Sequence, residues 1–150
     1  FEPARTFDVR LAYRFFDVKT AYSRQLLERP LIAKNRAFAN LAYVANGFKF
    51  DYTITYNGSK RIPNTSANPG QYQLQQRSPA YVLMNAQVSK TIGKKHPMDF
   101  YIGAENVTNY FQKDAILAAA EPFSPYFDAS LVWGPVTGRM FYAGWRFKIK

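Results

Sequence analysis

His96 is the only histidine in the chain and stands in a predicted tight turn directly before Pro97. A metal site needs several soft or carboxylate ligands together, and a nucleophile needs a base within hydrogen-bond reach. The chain has no cysteine and no second histidine to share either task, so His96 is assigned a turn role. The serines and carboxylates have no partner at a readable spacing, so neither a catalytic triad nor paired-carboxylate hydrolysis is indicated. Gly134 and Gly138 punctuate Trp133-Gly134-Pro135-Val136-Thr137-Gly138-Arg139, which is not a phosphate loop and reads as a turn entering a final strand. No enzymatic activity, no metal and no cofactor are expected.

The remaining chemistry is that of charge and aromatic surface. The net charge is +10, yet the basic residues are scattered, with Lys60-Arg61, Lys94-Lys95 and the terminal Arg146, Lys148 and Lys150 the only groupings. A nucleic-acid interface concentrates cations along one stripe, so no nucleic-acid partner is expected. Arg24, Arg29, Lys34, Lys60, Arg61, Arg77 and Lys113 fall in long connections, where they suit an anionic ligand or lipopolysaccharide phosphates, or are simply solvated. Tyr72, Phe123, Tyr126, Phe127 and Trp133 lie in the same kind of segment, as a ligand surface or as packing among the loops. Lys60, Arg61, Tyr126 and Trp133 are taken as the loop ligand candidates.

The elements that would position these residues are strands. Period-two alternation recurs about six times and no stretch reads as a helix of ten residues or more. Strands are predicted over Thr6 to Tyr22, Asn35 to Ala45, Phe48 to Asn57, Tyr81 to Ile92, Met98 to Val107 and Arg139 to Lys150. Asn46-Gly47 suits both positive-φ positions of a type I′ turn, which sets Ala45 opposite Phe48, Tyr43 opposite Phe50, Leu41 opposite Tyr52 and Ala39 opposite Ile54. One face is then wholly apolar, while the other carries Lys49, Asp51, Thr53 and Thr55. The pattern repeats with Val82, Met84, Ala86 and Val88 beside Phe100, Ile102 and Ala104, and again in Phe141, Ala143, Trp145, Phe147 and Ile149.

Short connections at Asn46-Gly47 and Gly93 to Pro97 alternate with long ones at Ser23 to Lys34, Gly58 to Ala80 and Thr108 to Gly138. In an antiparallel meander this places all the short turns at one end and all the long loops at the other, the asymmetry of outer-membrane barrels. The chain carries no secretory signal at its start and no run approaching the roughly 18 apolar residues of a membrane helix. Six strands are too few to close a barrel in lipid, so the rest of the wall is expected outside this sequence. A soluble β-sandwich with its apolar face on a second sheet gives the same alternation, and a basic β-domain binding polyanions is the soluble alternative. A passive porin or adhesin is the alternative within membranes.

Glu105-Asn106-Val107-Thr108-Asn109-Tyr110 resembles the penultimate-strand segment of TonB-dependent receptors, with Val107 where leucine is usual. Pro122 to Ser130, Trp133-Gly134-Pro135 and Gly138 to Phe147 resemble the C-terminal end of that family, and Arg36 to Tyr43 and Gly58 to Thr65 fit it too. The resemblance implies the last six strands of a 22-stranded antiparallel transmembrane barrel around a plug. It also implies a Gram-negative outer-membrane location amid lipid and lipopolysaccharide. The family imports metal chelates, cobalamin or glycans with energy transmitted by TonB through the plug, in some cases under a lid lipoprotein. It further implies lumen-facing roles for Lys49, Asp51, Tyr101, Glu105 and Arg146, and a barrel-insertion signal in Trp145, Phe147 and Ile149.

Overall fold

The computed structural model describes residues 6–22, 24–93 and 97–147. It is an all-β chain. Six strands, β1 (Phe7–Phe15), β4 (Asn35–Ala45), β5 (Phe48–Asn57), β6 (Tyr81–Ile92), β7 (Met98–Glu105) and β8 (Met140–Phe147), form one antiparallel sheet in that order. A separate two-stranded sheet joins β2 (Lys19–Tyr22) to β3 (Gln25–Glu28). The main sheet is open, with β1 and β8 at its edges.

Register follows from the turn chemistry. Asn46 and Gly47 both take positive φ, 51° and 75°, so the β4–β5 hairpin closes on two residues and Ala45 pairs with Phe48. The ladder continues through Tyr43 with Phe50, Leu41 with Tyr52 and Ala39 with Ile54, as expected from the sequence. Because side chains alternate with period two, this register also sets the faces of β5 with β6 and β6 with β7, where Ile54 meets Met84 and Val88 meets Ile102.

The first strand departs from expectation. The predicted run from Thr6 to Tyr22 breaks after Phe15, where Phe16 N–H donates to Lys34 C=O at 2.8 Å and the chain turns a corner. Asp17 holds that corner by ion pairs to Lys34 at 3.0 Å and Lys19 at 3.4 Å. The segment expected to be a plain loop, Ser23 to Lys34, then supplies β3, whose Leu26 and Leu27 pair with Ala21 and Thr20. Alternation had masked the break because β2 keeps the same period as β1. At the other end β7 stops at Glu105, two residues earlier than expected, because Asn106 adopts φ 50° and leaves the extended region.

Burial is distributed in an unusual way. Buried apolar residues lie mostly in the long loops (Ala33, Ile62, Leu117, Ala118 and Leu131), and among the described residues no large side chain is fully enclosed. On the apolar sheet face, Leu11 and Phe141 are each 74% exposed and Trp145 is 67% exposed. On the opposite face Asn40 and Ala42 are buried.

Candidate functional site

The polar sheet face is built from interlocked side chains. Asn40 Nδ2 donates to Asp51 Oδ1 at 2.9 Å and to Thr53 Oγ1 at 2.9 Å, tying β4 to β5. Tyr142 O–H, on β8, donates to Gln87 Oε1 on β6 at 3.0 Å, reaching over β7. It crosses at Gly103, where a Cβ would run into the Tyr142 ring and lie 2.9 Å from the Ala86 carbonyl oxygen. Tyr101 in turn covers Gly144, its cross-strand partner. The glycines are therefore recesses that admit tyrosine side chains close to the sheet. Lys49, Asp51, Tyr101, Glu105 and Arg146 all project on this face by register, Arg146 opposite Asp99 and Tyr101 opposite Gly144.

The apolar face carries a single charge among the described residues, Lys90. Its ammonium bends to the sheet end, donating to the Asn46 C=O at 2.6 Å and lying 3.9 Å from the Phe48 ring centroid. The stem covers apolar surface while the charge leaves it. Trp145 and Phe147 of the predicted insertion signal are exposed on this face near the short turns, and Ile149 lies outside the described residues.

Above the sheet, the long loops pack on one another. Tyr81 and Tyr110 stack with centroids 4.9 Å apart and planes 10° from parallel, and Trp133 closes the cluster at 6.2 Å from Tyr81 and 6.5 Å from Tyr110. Lys60 Nζ donates to the Trp133 C=O and lies over the Tyr81 ring. Desolvation, and then the nearby Arg36 charge, hold the Lys60 ammonium below the ordinary lysine range. Gln112, 4% exposed, accepts from Trp133 N–H at 2.8 Å and Gly134 N–H at 3.0 Å and donates to Leu131 C=O. Tyr126 stacks on Tyr72 at 5.8 Å, joining the 108–138 loop to the 58–80 loop.

The Asn106-Val107-Thr108-Asn109 segment has a structural role that its residue types explain. Asn106 and Asn109 occupy left-handed backbone, φ 50° and 53°, which asparagine tolerates better than most residues. Asn106 Nδ2 donates to Tyr110 C=O at 2.7 Å, and Asn109 Oδ1 accepts from Arg139 N–H at 2.9 Å, so the loop's start is stitched to its end.

A cleft of about 550 Å³ lies between the β2–β3 hairpin and the 58–80 loop. Arg61 lines it; the other candidates Lys60, Tyr126 and Trp133 are engaged in loop packing as described. Lys19, Gln25 and Gln76 also line it, and none of the three was singled out from sequence. Lys19 had been absorbed into a strand, and glutamines carry no spacing signal.

The chain matches no protein-family model, no curated protein and no solved structure.

Proposed function

We propose that this sheet is part of the wall of a Gram-negative outer-membrane β-barrel, and that the barrel is a TonB-dependent importer of a scarce nutrient. The observation that carries the reading is the inverted burial. Large apolar side chains on one face are exposed, while the opposite, polar face is hydrogen-bonded strand to strand. In water this arrangement leaves large apolar side chains unshielded; in lipid it is the stable one. A patch of this extent on a soluble monomer would be costly and aggregation-prone.

Three further features fit. The six strands are 8 to 12 residues long, close to the 9 to 11 that a tilted strand needs to cross a bilayer. On the apolar face most aromatic residues lie toward the strand ends, Tyr52 at the middle of β5 being an exception. Tyr43, Phe48, Phe100 and Trp145 lie near the short turns and Tyr13, Phe15 and Tyr56 near the long loops, with Ala39, Ile54 and Met84 between. Such rows match the interfacial girdles of barrels. Lys90 snorkels at the turn end.

In this mechanism the loops catch ligand outside, and the polar face, with Lys49, Asp51, Tyr101, Glu105 and Arg146, lines the lumen through which it passes. Plug, TonB contact and any lid lipoprotein would be supplied by other parts of the protein and its partners. The test is to float membranes of cells producing the full-length gene product and compare its gel mobility before and after boiling. Recovery in outer membranes with a heat-dependent mobility shift is expected; a product that stays in buffer without detergent overturns the reading.

A further inference from the structure

We infer that the cleft between the β2–β3 hairpin and the 58–80 loop binds an acidic, hydroxyl-rich small molecule about the size of an acidic disaccharide, its carboxylate held by Arg61 and Arg77. The inference rests on the proposed receptor only in taking the long-loop end to be the one that meets ligand.

Arg61 and Arg77 are bridge partners, directly opposite each other between two short stretches of the loop. Like charges so placed repel, and an anion beside them removes the penalty. Glu28 does part of this. Its Oε2 accepts from Arg77 Nη1 at 2.8 Å, but Arg61 Nη1 donates only to the Glu28 backbone carbonyl, at 3.1 Å. Lys19, the third cation of the wall, pairs with Asp17, which is outside the cleft lining and is shared with Lys34. The lining thus holds three cations and one carboxylate.

Geometry favours a planar anion. A guanidinium presents five N–H donors in a fork that matches a carboxylate. Among the described residues Arg61 side-chain hydrogen bonding is limited to one partner, and its guanidinium is braced 5.3 Å from the Tyr22 ring centroid. A donor fixed before binding loses little entropy when the ligand arrives. The rest of the lining sets the ligand class. The amides of Gln25, Asn64 and Gln76 donate and accept, which suits hydroxyl groups, and Leu26 and Ile62 provide a small apolar surface for the C–H face of a sugar-like ring. The volume, about 550 Å³, is in the range of small-molecule sites.

The test is calorimetric titration of the full-length gene product, purified in detergent at low ionic strength, with cellobiouronate, with cellobiose and with inorganic phosphate. The two disaccharides differ by one carboxylate. The acid is expected to bind about tenfold more tightly than cellobiose or phosphate. Arg61→Lys, which keeps the charge and loses the fork, should cost about tenfold, with hydrogen-exchange protection of the β2–β3 hairpin unchanged. Glu28→Gln should tighten binding several-fold, because it removes the competing carboxylate. The inference is overturned if the acid binds no better than cellobiose or phosphate, if none of them binds, or if Glu28→Gln weakens binding as Arg61→Lys does. The last outcome would mean that the arginines only fasten the hairpin. A protein found in outer membranes that fails to prefer the acid removes this site alone; a water-soluble product that prefers it removes the receptor reading alone.

Discussion

Gly103 and Gly144 look equivalent in the sequence, yet their surroundings differ. The three atoms nearest a Cβ on Gly144 all belong to the Tyr101 side chain, which can shift, whereas those nearest a Cβ on Gly103 include the Ala86 carbonyl oxygen as well as the Tyr142 side chain. Gly103→Ala should therefore destabilise the folded sheet by about 1–3 kcal/mol and Gly144→Ala by less. Adding Tyr101→Ala should relieve the Gly144→Ala strain, while Tyr142→Ala should relieve only part of that at Gly103. Urea midpoints of the detergent-folded protein check this, and equal costs at the two glycines would contradict it. Gln112 offers a second test at this scale. Gln112→Ala leaves two backbone N–H groups and one carbonyl without their partner, at about 1–3 kcal/mol, and should raise amide exchange at Trp133 and Gly134.

Among the groups outside the strands, Lys60 and Asp17 make the loops and hairpins respond to pH in opposite directions. Lys60 in the folded loop holds its proton less tightly than an ordinary lysine. Between that lowered value and the ordinary one near 10.4, the unfolded loop binds more protons, so loop stability should rise with pH through this window. Lys60→Met should flatten the rise, as read from amide exchange of residues 58–62 and 131–135. Asp17 has the opposite sign. Its hydrogen bond to Lys34, with the Lys19 and Lys34 charges, lowers its pKa, so the tie it makes is fully present above the ordinary aspartate value and is lost as pH falls through the lowered one. Protection of the β2–β3 hairpin should fall in that acid range in the wild type and not in Asp17→Asn.

At this scale the strands and their register were legible because Asn46-Gly47 and the alternation constrain one another. The loops were not. The β2–β3 hairpin was hidden because Lys19 to Tyr22 continues the period of β1, and the corner at Asp17 depends on Lys34, far along the chain. Arg61 was recognised as a loop cation, but its pairing with Arg77 across a bridge and its place beside Gln25 and Gln76 depend on loop packing, which local patterning does not encode.

For the molecule as a whole, the account rests on which face of the sheet meets lipid. A lysine at Ile54, midway along the apolar face between Ala39 and Met84, should cost about 2–4 kcal/mol in a bilayer. A lysine at neighbouring Thr53, on the polar face, should cost far less. The most direct measurement uses single cysteines, since this chain has none and any elsewhere in the full-length product can first be replaced by serine. Single cysteines placed in turn at Phe50, Asp51, Tyr52, Thr53, Ile54 and Thr55 of the full-length product, labelled with a fluorophore and reconstituted with brominated lipid, report each position's contact with acyl chains. Accessibility should alternate, with labels at 50, 52 and 54 quenched by lipid and labels at 51, 53 and 55 reached by aqueous quencher; uniform accessibility, or an apolar face shielded from both, would show that this face does not meet lipid.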